Sequence, residues 1–152
     1  MRAPAVVLAV LVWAGSAGAQ EPSWRDSYEA FVAAMQAGDE KAAHKAAIET
    51  WERAAEQNAP DAVFSKLAWN AGFSLEAERE WRKAAKAYQN ALDRSDAEIP
   101  DFRAEIAART AFAHARREDF RAVEAALARF TPSEGSQAEA FFQPEVDAVM
   151  AY

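Results

Sequence analysis

Three features of this 152-residue sequence predict an all-α fold of antiparallel helix pairs. Alanine, leucine and aromatic residues recur at helical spacing with charged residues between them, and no alternating run marks a half-buried strand. Short breaks at Gly38-Asp39, Asn58-Ala59-Pro60, Ser95 to Pro100 and Thr131 to Ser136 cut the chain into short helices. Matching residues also recur: Trp81 and Phe120 lie 39 apart, and Gly38-Asp39-Glu40 aligns with Arg79-Glu80-Trp81 at a spacing of 41. Such a period predicts a helical solenoid, in which each pair buries its face by stacking on the next.

The first residues read as a secretory signal. Arg2 supplies a positive start, Ala5 to Ala14 is an unbroken apolar run, and Ala17-Gly18-Ala19 has the small residues that signal peptidase needs, so cleavage is expected after Ala19. That run is half of what a membrane span requires, and no stable membrane insertion is expected once it is removed. Cleavage takes away Arg2 and no acid, leaving 16 basic residues against 24 acidic ones and a net charge of −8. A phosphate backbone is bound by clustered cations, and no run of basic residues interrupts this acidic chain, so nucleic acid is not an expected partner. With no cysteine, neither disulfides nor a lipoprotein anchor are available. The expected product is periplasmic or secreted. Residues 1–19 are the signal, and residues 20–152 form one domain of about three helix pairs plus a C-terminal helix.

Helix one starts at Ser23, where Asp26 three residues on completes a capping box, and Gly38 ends it. Asp39 caps the second helix, whose His44, Ile48, Trp51 and Ala55 share a stripe that should face the first. Pro60-Asp61 opens a third helix with Leu67, Ala68, Ala71, Gly72 and Leu75 on one side. Its partner carries Trp81, Ala84, Ala85, Tyr88, Ala91 and Leu92. The next pair has Phe102, Ile106, Ala107 and Thr110, then Phe120, Val123, Leu127 and Phe130, with Arg116-Arg117 suited to one helix end and Glu118-Asp119 to the next beginning. Gln143-Pro144-Glu145 reads as the start of a last helix with Val146, Val149 and Met150 on its apolar face. Two turns are too short to stand alone. Docking on the third pair, self-association through this helix and continuation of the chain beyond Tyr152 are the alternatives.

Ala71-Gly72 on one helix, followed by Glu80-Trp81, Ala84, Tyr88 and Ala91 on the next, resembles a tetratricopeptide repeat. The resemblance is clearest over residues 65–96 and weaker over 24–58 and 103–132, where Ala111 replaces Gly72 and the spacings exceed the usual 34. It implies a short right-handed superhelix whose inner wall is lined by the first helix of each pair. The inward positions would be Tyr28, Val32 and Met35, then Lys66, Trp69, Phe73 and Glu76, then Glu105, Phe112 and Arg116. Of these, Tyr28, Lys66, Trp69, Phe73, Glu76, Phe112 and Arg116 are the expected partner-binding residues, since aromatics beside charges suit an extended peptide or a partner's helix. The same aromatics also suit packing between helices.

Catalytic and metal chemistry need convergent groups. The two histidines, His44 and His114, are 70 residues apart, and Glu76, Glu78 and Glu80 lie among Arg79, Arg82 and Lys83 as a solvated helix end would. Phosphate loops and nucleophile elbows are absent. No cofactor, metal or enzymatic activity is expected. The expected function is an exported envelope scaffold or adaptor that binds a protein or peptide partner. The alternative is an accessory repeat region of a longer cell-wall enzyme or energy-transducing envelope protein.

Overall fold

The computed structural model describes residues 22–95 and 99–151, so the expected signal segment lies outside the described residues. Seven helices and no strand occur among them: α1 Trp24–Ala37, α2 Glu40–Glu56, α3 Asp61–Ala77, α4 Trp81–Asp93, α5 Pro100–Ala115, α6 Phe120–Leu127 and α7 Gln137–Met150. Each helix from α1 to α5 packs on the next, and α7 packs on α5.

Local chemistry sets the boundaries. Ser23 and Asp26 form the reciprocal capping box at the start of α1, leaving two fewer orphan N–H groups there. The turns into α2, α4 and α6 are one turn used three times. Each passes through a residue with positive φ: Gly38 at 70°, Arg79 at 60° and Glu118 at 58°. The following N–H then reaches back into the helix just completed, Asp39 to the Ala34 carbonyl at 3.0 Å, Glu80 to Leu75 at 2.8 Å and Asp119 to His114 at 3.1 Å. This left-handed closure satisfies the last carbonyls of a helix. Asp39 and Asp119 then accept the N–H of Ala42 and Ala122 and so cap the helices they precede. The three left-handed positions are 41 and 39 residues apart, the period read in the sequence. Asn58, at φ 50°, closes α2 in the same way, with the Ala59 N–H donating to the Ala54 carbonyl at 3.0 Å.

One cluster of buried side chains runs through Trp51, Phe64, Leu67, Leu75, Tyr88, Leu92 and Ile106, from α2 to α5. Burying a chain of this size contributes about 1.5–3 kcal/mol. Most other buried apolar positions are alanine, which lets helix backbones approach closely. A close approach occurs at Gly72, where an added Cβ would lie 2.5 Å from Cδ1 of the Tyr88 ring. Tyr88 is fully buried, and its hydroxyl donates to Glu76 Oε2 at 2.6 Å, one turn along α3 from Gly72.

Three expectations change. The buried side of α2 is Ala43, Ala46, Ala47, Thr50, Trp51 and Ala54, while Ala55 is exposed and His44 half-buried. Because α2 lies between α1 and α3, its buried face is broader than one stripe, and Trp51 and Ala54 join the core that holds Phe64 and Leu67. Phe120 opens α6 as Trp81 opens α4, but it is not covered: it is 58% exposed. Trp81 has Phe112 of the following pair to pack on, whereas the helix after α6 lies on α5 and leaves Phe120 uncovered. Finally, Pro144 is inside α7 and not at its start. The helix begins earlier because Ser136 accepts the Glu139 N–H at 3.1 Å and Glu139 accepts the Gly135 N–H at 2.6 Å. The proline only removes one ladder bond, on a turn where Ala140 is exposed to water. Thus lengthened, α7 buries Ala138, Phe142 and Val146, all three clustered with Ala108 of α5.

Candidate functional site

Along α1, α3 and α5, Trp24, Tyr28, Trp69, Phe73, Phe102 and Phe112 stay half-buried or exposed. Between α1 and α3 lies an open groove of about 710 Å³, walled by Trp24 and Tyr28 on one side and by Val63, Lys66 and Trp69 on the other, with Phe102 of α5 at its end. Helical spacing puts them there: Trp24 and Tyr28 are one turn apart, as are Ala62, Lys66 and Asn70. Trp69 stacks on Phe73 at 6.2 Å and meets the edge of Phe102, also at 6.2 Å. The Arg25 guanidinium lies 4.5 Å from the Trp24 ring, a cation–π contact.

Phe102 also lines a second groove, of about 750 Å³, between α5 and α7 with Glu105, Arg109, Phe141 and Phe142. The two grooves therefore meet at one ring. A smaller recess, at the C-terminal ends of α3 and α5, is formed by Phe73, Glu76, Trp81, Phe112 and Arg116. There the Arg116 guanidinium lies 5.1 Å from Trp81 and 5.9 Å from Phe112.

Of the residues singled out in the sequence, Tyr28, Lys66 and Trp69 share the first groove, and Phe73, Glu76, Phe112 and Arg116 share the recess. The Trp69–Phe73 stack connects the two sets. Phe73 is 48% exposed and Tyr28 40%. Met35 is exposed and Val32 half-buried, and neither lines the two grooves or the recess. Glu76 already has partners: it accepts from Tyr88 and lies 3.4 Å from Arg109. Burial and that bond to the Glu76 carboxylate both push the Tyr88 phenol above its ordinary value.

Sequence reasoning passed over Arg109, which organises the middle of this face. Its Nε donates to Glu105 at 3.2 Å and its Nη1 to Glu76 at 3.4 Å, while the guanidinium lies 5.4 Å from Phe73 and 5.7 Å from Phe142. It thus links α3, α5 and α7. One signal was present: Arg109 is the sole charge between Ala107-Ala108 and Thr110-Ala111, on a helix face otherwise buried. The α7 residues Phe141 and Phe142 were missed because their helix was expected to start after them.

The histidines stand apart. His44 Nδ1 is 4.0 Å from Glu78, and His114 Nδ1 is 3.5 Å from Asp119. Burial, reinforced by Arg117 and opposed by Asp119, holds the His114 imidazole below its usual value. No three metal-ligating side chains converge among the described residues. The chain matches no protein-family model, no curated protein and no solved structure.

Proposed function

We propose that this chain is an exported adaptor of the cell envelope, built as a short tetratricopeptide-like superhelix, that acts by binding and not by catalysis. An extended segment of a partner protein lies across α1, α3 and α5. The observation that carries this reading is the shared wall at Phe102, which turns two grooves into one track from Trp24 to Phe141. Half-exposed rings offer area at small entropic cost, and Arg25, Lys66, Glu105 and Asp101 along the track supply register.

Selection of peptides from a displayed library on the full chain tests it. Selected peptides are expected to lose tenfold or more in affinity, on the order of one hot-spot contact, when Tyr28→Ala or Lys66→Glu is introduced. Lys41→Gln on α2 should leave binding unchanged. A library that yields no binder, or binders indifferent to the α1 and α3 substitutions, overturns the reading. Fusing residues 1–19 to a reporter that is active only outside the cytoplasm tests export separately.

A further inference from the structure

A different groove, of about 630 Å³, lies between α4 and α6, a volume that suits a small ligand. Its cations are Arg82, Lys83 and Lys86 of α4 and Arg117 from the α5–α6 turn, and no carboxylate lines it. Lys83 reaches Glu80 at 3.5 Å with both side chains well exposed, a pair that water screens. Arg82, Lys86 and Arg117 have no acidic partner among the described residues. On a chain with a net charge of −7, four positive side chains surround one concavity although no basic run appears in the sequence.

The first cations of α4 do not serve the helix that carries them. α1, α2, α3, α5 and α7 each hold an acid in the first turn, where the helix dipole favours it. α4 and α6, the two walls, hold none, and Arg82 and Lys83 occupy the first turn of α4 against the dipole. Two further features prepare the groove. His114 lines it with its ring 12% exposed, and neither ring nitrogen has a hydrogen-bond partner. Asp119 beside it caps Ala122 through Oδ1, and its Oδ2 lies 3.5 Å from His114 Nδ1. Arg129, just past α6, donates to the Leu92 carbonyl and to Asp93, both at 2.6 Å, and so ties the two walls together.

We propose that this groove binds a multivalent oxyanion of phosphate chemistry, with Arg82, Lys86 and Arg117 as its direct contacts. Arginine's planar fork meets two phosphate oxygens at once, and lysine adds a point charge. A single carboxylate would leave most of the four cations unanswered. Ala85, Ala122 and Ala125 present no bulk to the ligand. The site is independent of the aromatic track and stands or falls without it.

Titrating the full chain with inorganic pyrophosphate, followed by backbone and arginine side-chain NMR, tests the site. Co-sedimentation with phosphatidylglycerol vesicles runs in parallel. Saturable shifts are expected at Arg82, Lys86, His114 and Arg117. They should weaken about tenfold or more in the combined Arg82→Gln, Lys86→Gln and Arg117→Gln variant, and as salt is raised. Lys41→Gln should bind as the parent does. Glutamine preserves helix propensity, so the variant should melt normally; if it does not, Arg117→Gln alone is read. Loss of pyrophosphate binding in the variant identifies a soluble ligand, and loss of vesicle binding a lipid headgroup. The site is overturned if neither probe binds, if the variant keeps the binding, or if the groove ignores both and takes an oligoglutamate peptide.

Discussion

The ring of Tyr88 lies against the bare α-carbon of Gly72, so closely that a methyl group there would stand 2.5 Å from Cδ1 and 2.6 Å from Cε1 of the ring. The ring is fully buried in the main cluster and cannot retreat into water. Gly72→Ala should therefore destabilise the fold by about 1–3 kcal/mol through overpacking, although alanine is the better helix former. Urea unfolding would show a lower midpoint with an unchanged slope.

The hydroxyl of the same ring gives a separable effect. Tyr88→Phe keeps the packing on Gly72 and removes the bond to Glu76. A loss of about 1–2 kcal/mol is expected. In the same unfolding assay, a loss as large as that of Gly72→Ala would mean that the hydroxyl, and not the close approach, anchors the pair.

Arg79 and Glu118 hold left-handed backbone conformations that side chains disfavour by about 1–2 kcal/mol. Arg79→Gly and Glu118→Gly should raise the melting temperature, each stabilising by roughly 0.5–1 kcal/mol after the greater freedom of the unfolded glycine is counted. Gly38→Ala, the converse change, should lower it. Thermal unfolding of the three variants side by side is the measurement.

Removing Arg109 leaves Glu76 and Glu105 facing each other without their shared cation. Arg109→Met should cost about 2 kcal/mol. Because the guanidinium also lies against Phe142, amide exchange in α7 should accelerate more than in α2, which Arg109 does not touch.

His114 gives the fold a pH dependence. Its imidazole resists protonation when folded, chiefly because it is buried, whereas the unfolded chain takes up the proton near the ordinary value of 6.5. Stability is therefore whole above that value and falls as pH drops below it. Melting curves between pH 7.5 and 5.5 should show a steeper decline for the parent than for His114→Phe.

The helices and their caps were legible because each rests on a short-range signal. Ser23 with Asp26, and Gly38 with Asp39, are read from neighbours alone, whereas the seating of the Tyr88 ring on Gly72 follows only from the packing of α4 on α3. Where the sequence misled, a third element decided the outcome. Trp51 belongs to the α2–α3 side because α2 has two neighbours, and Phe120 is bare because α7 settles on α5. Pro144 looked like a beginning because its missing N–H suits that position, yet Ser136 and Glu139 had already nucleated the helix. The site divides along the same line. Tyr28, Lys66 and Trp69 follow from the face of a helix, but Arg109, and the company that Arg82 keeps with Arg117, depend on which helices become neighbours.

Alanine supplies most of the buried apolar positions, so little side-chain freedom is frozen when the helices close, and little volume remains to be lost by trimming. Substitution in this interior is thus lopsided. Replacing Ala84, Ala91 or Ala107 by valine or leucine wedges two backbones apart, and the harm done at such positions grows with the size of the newcomer.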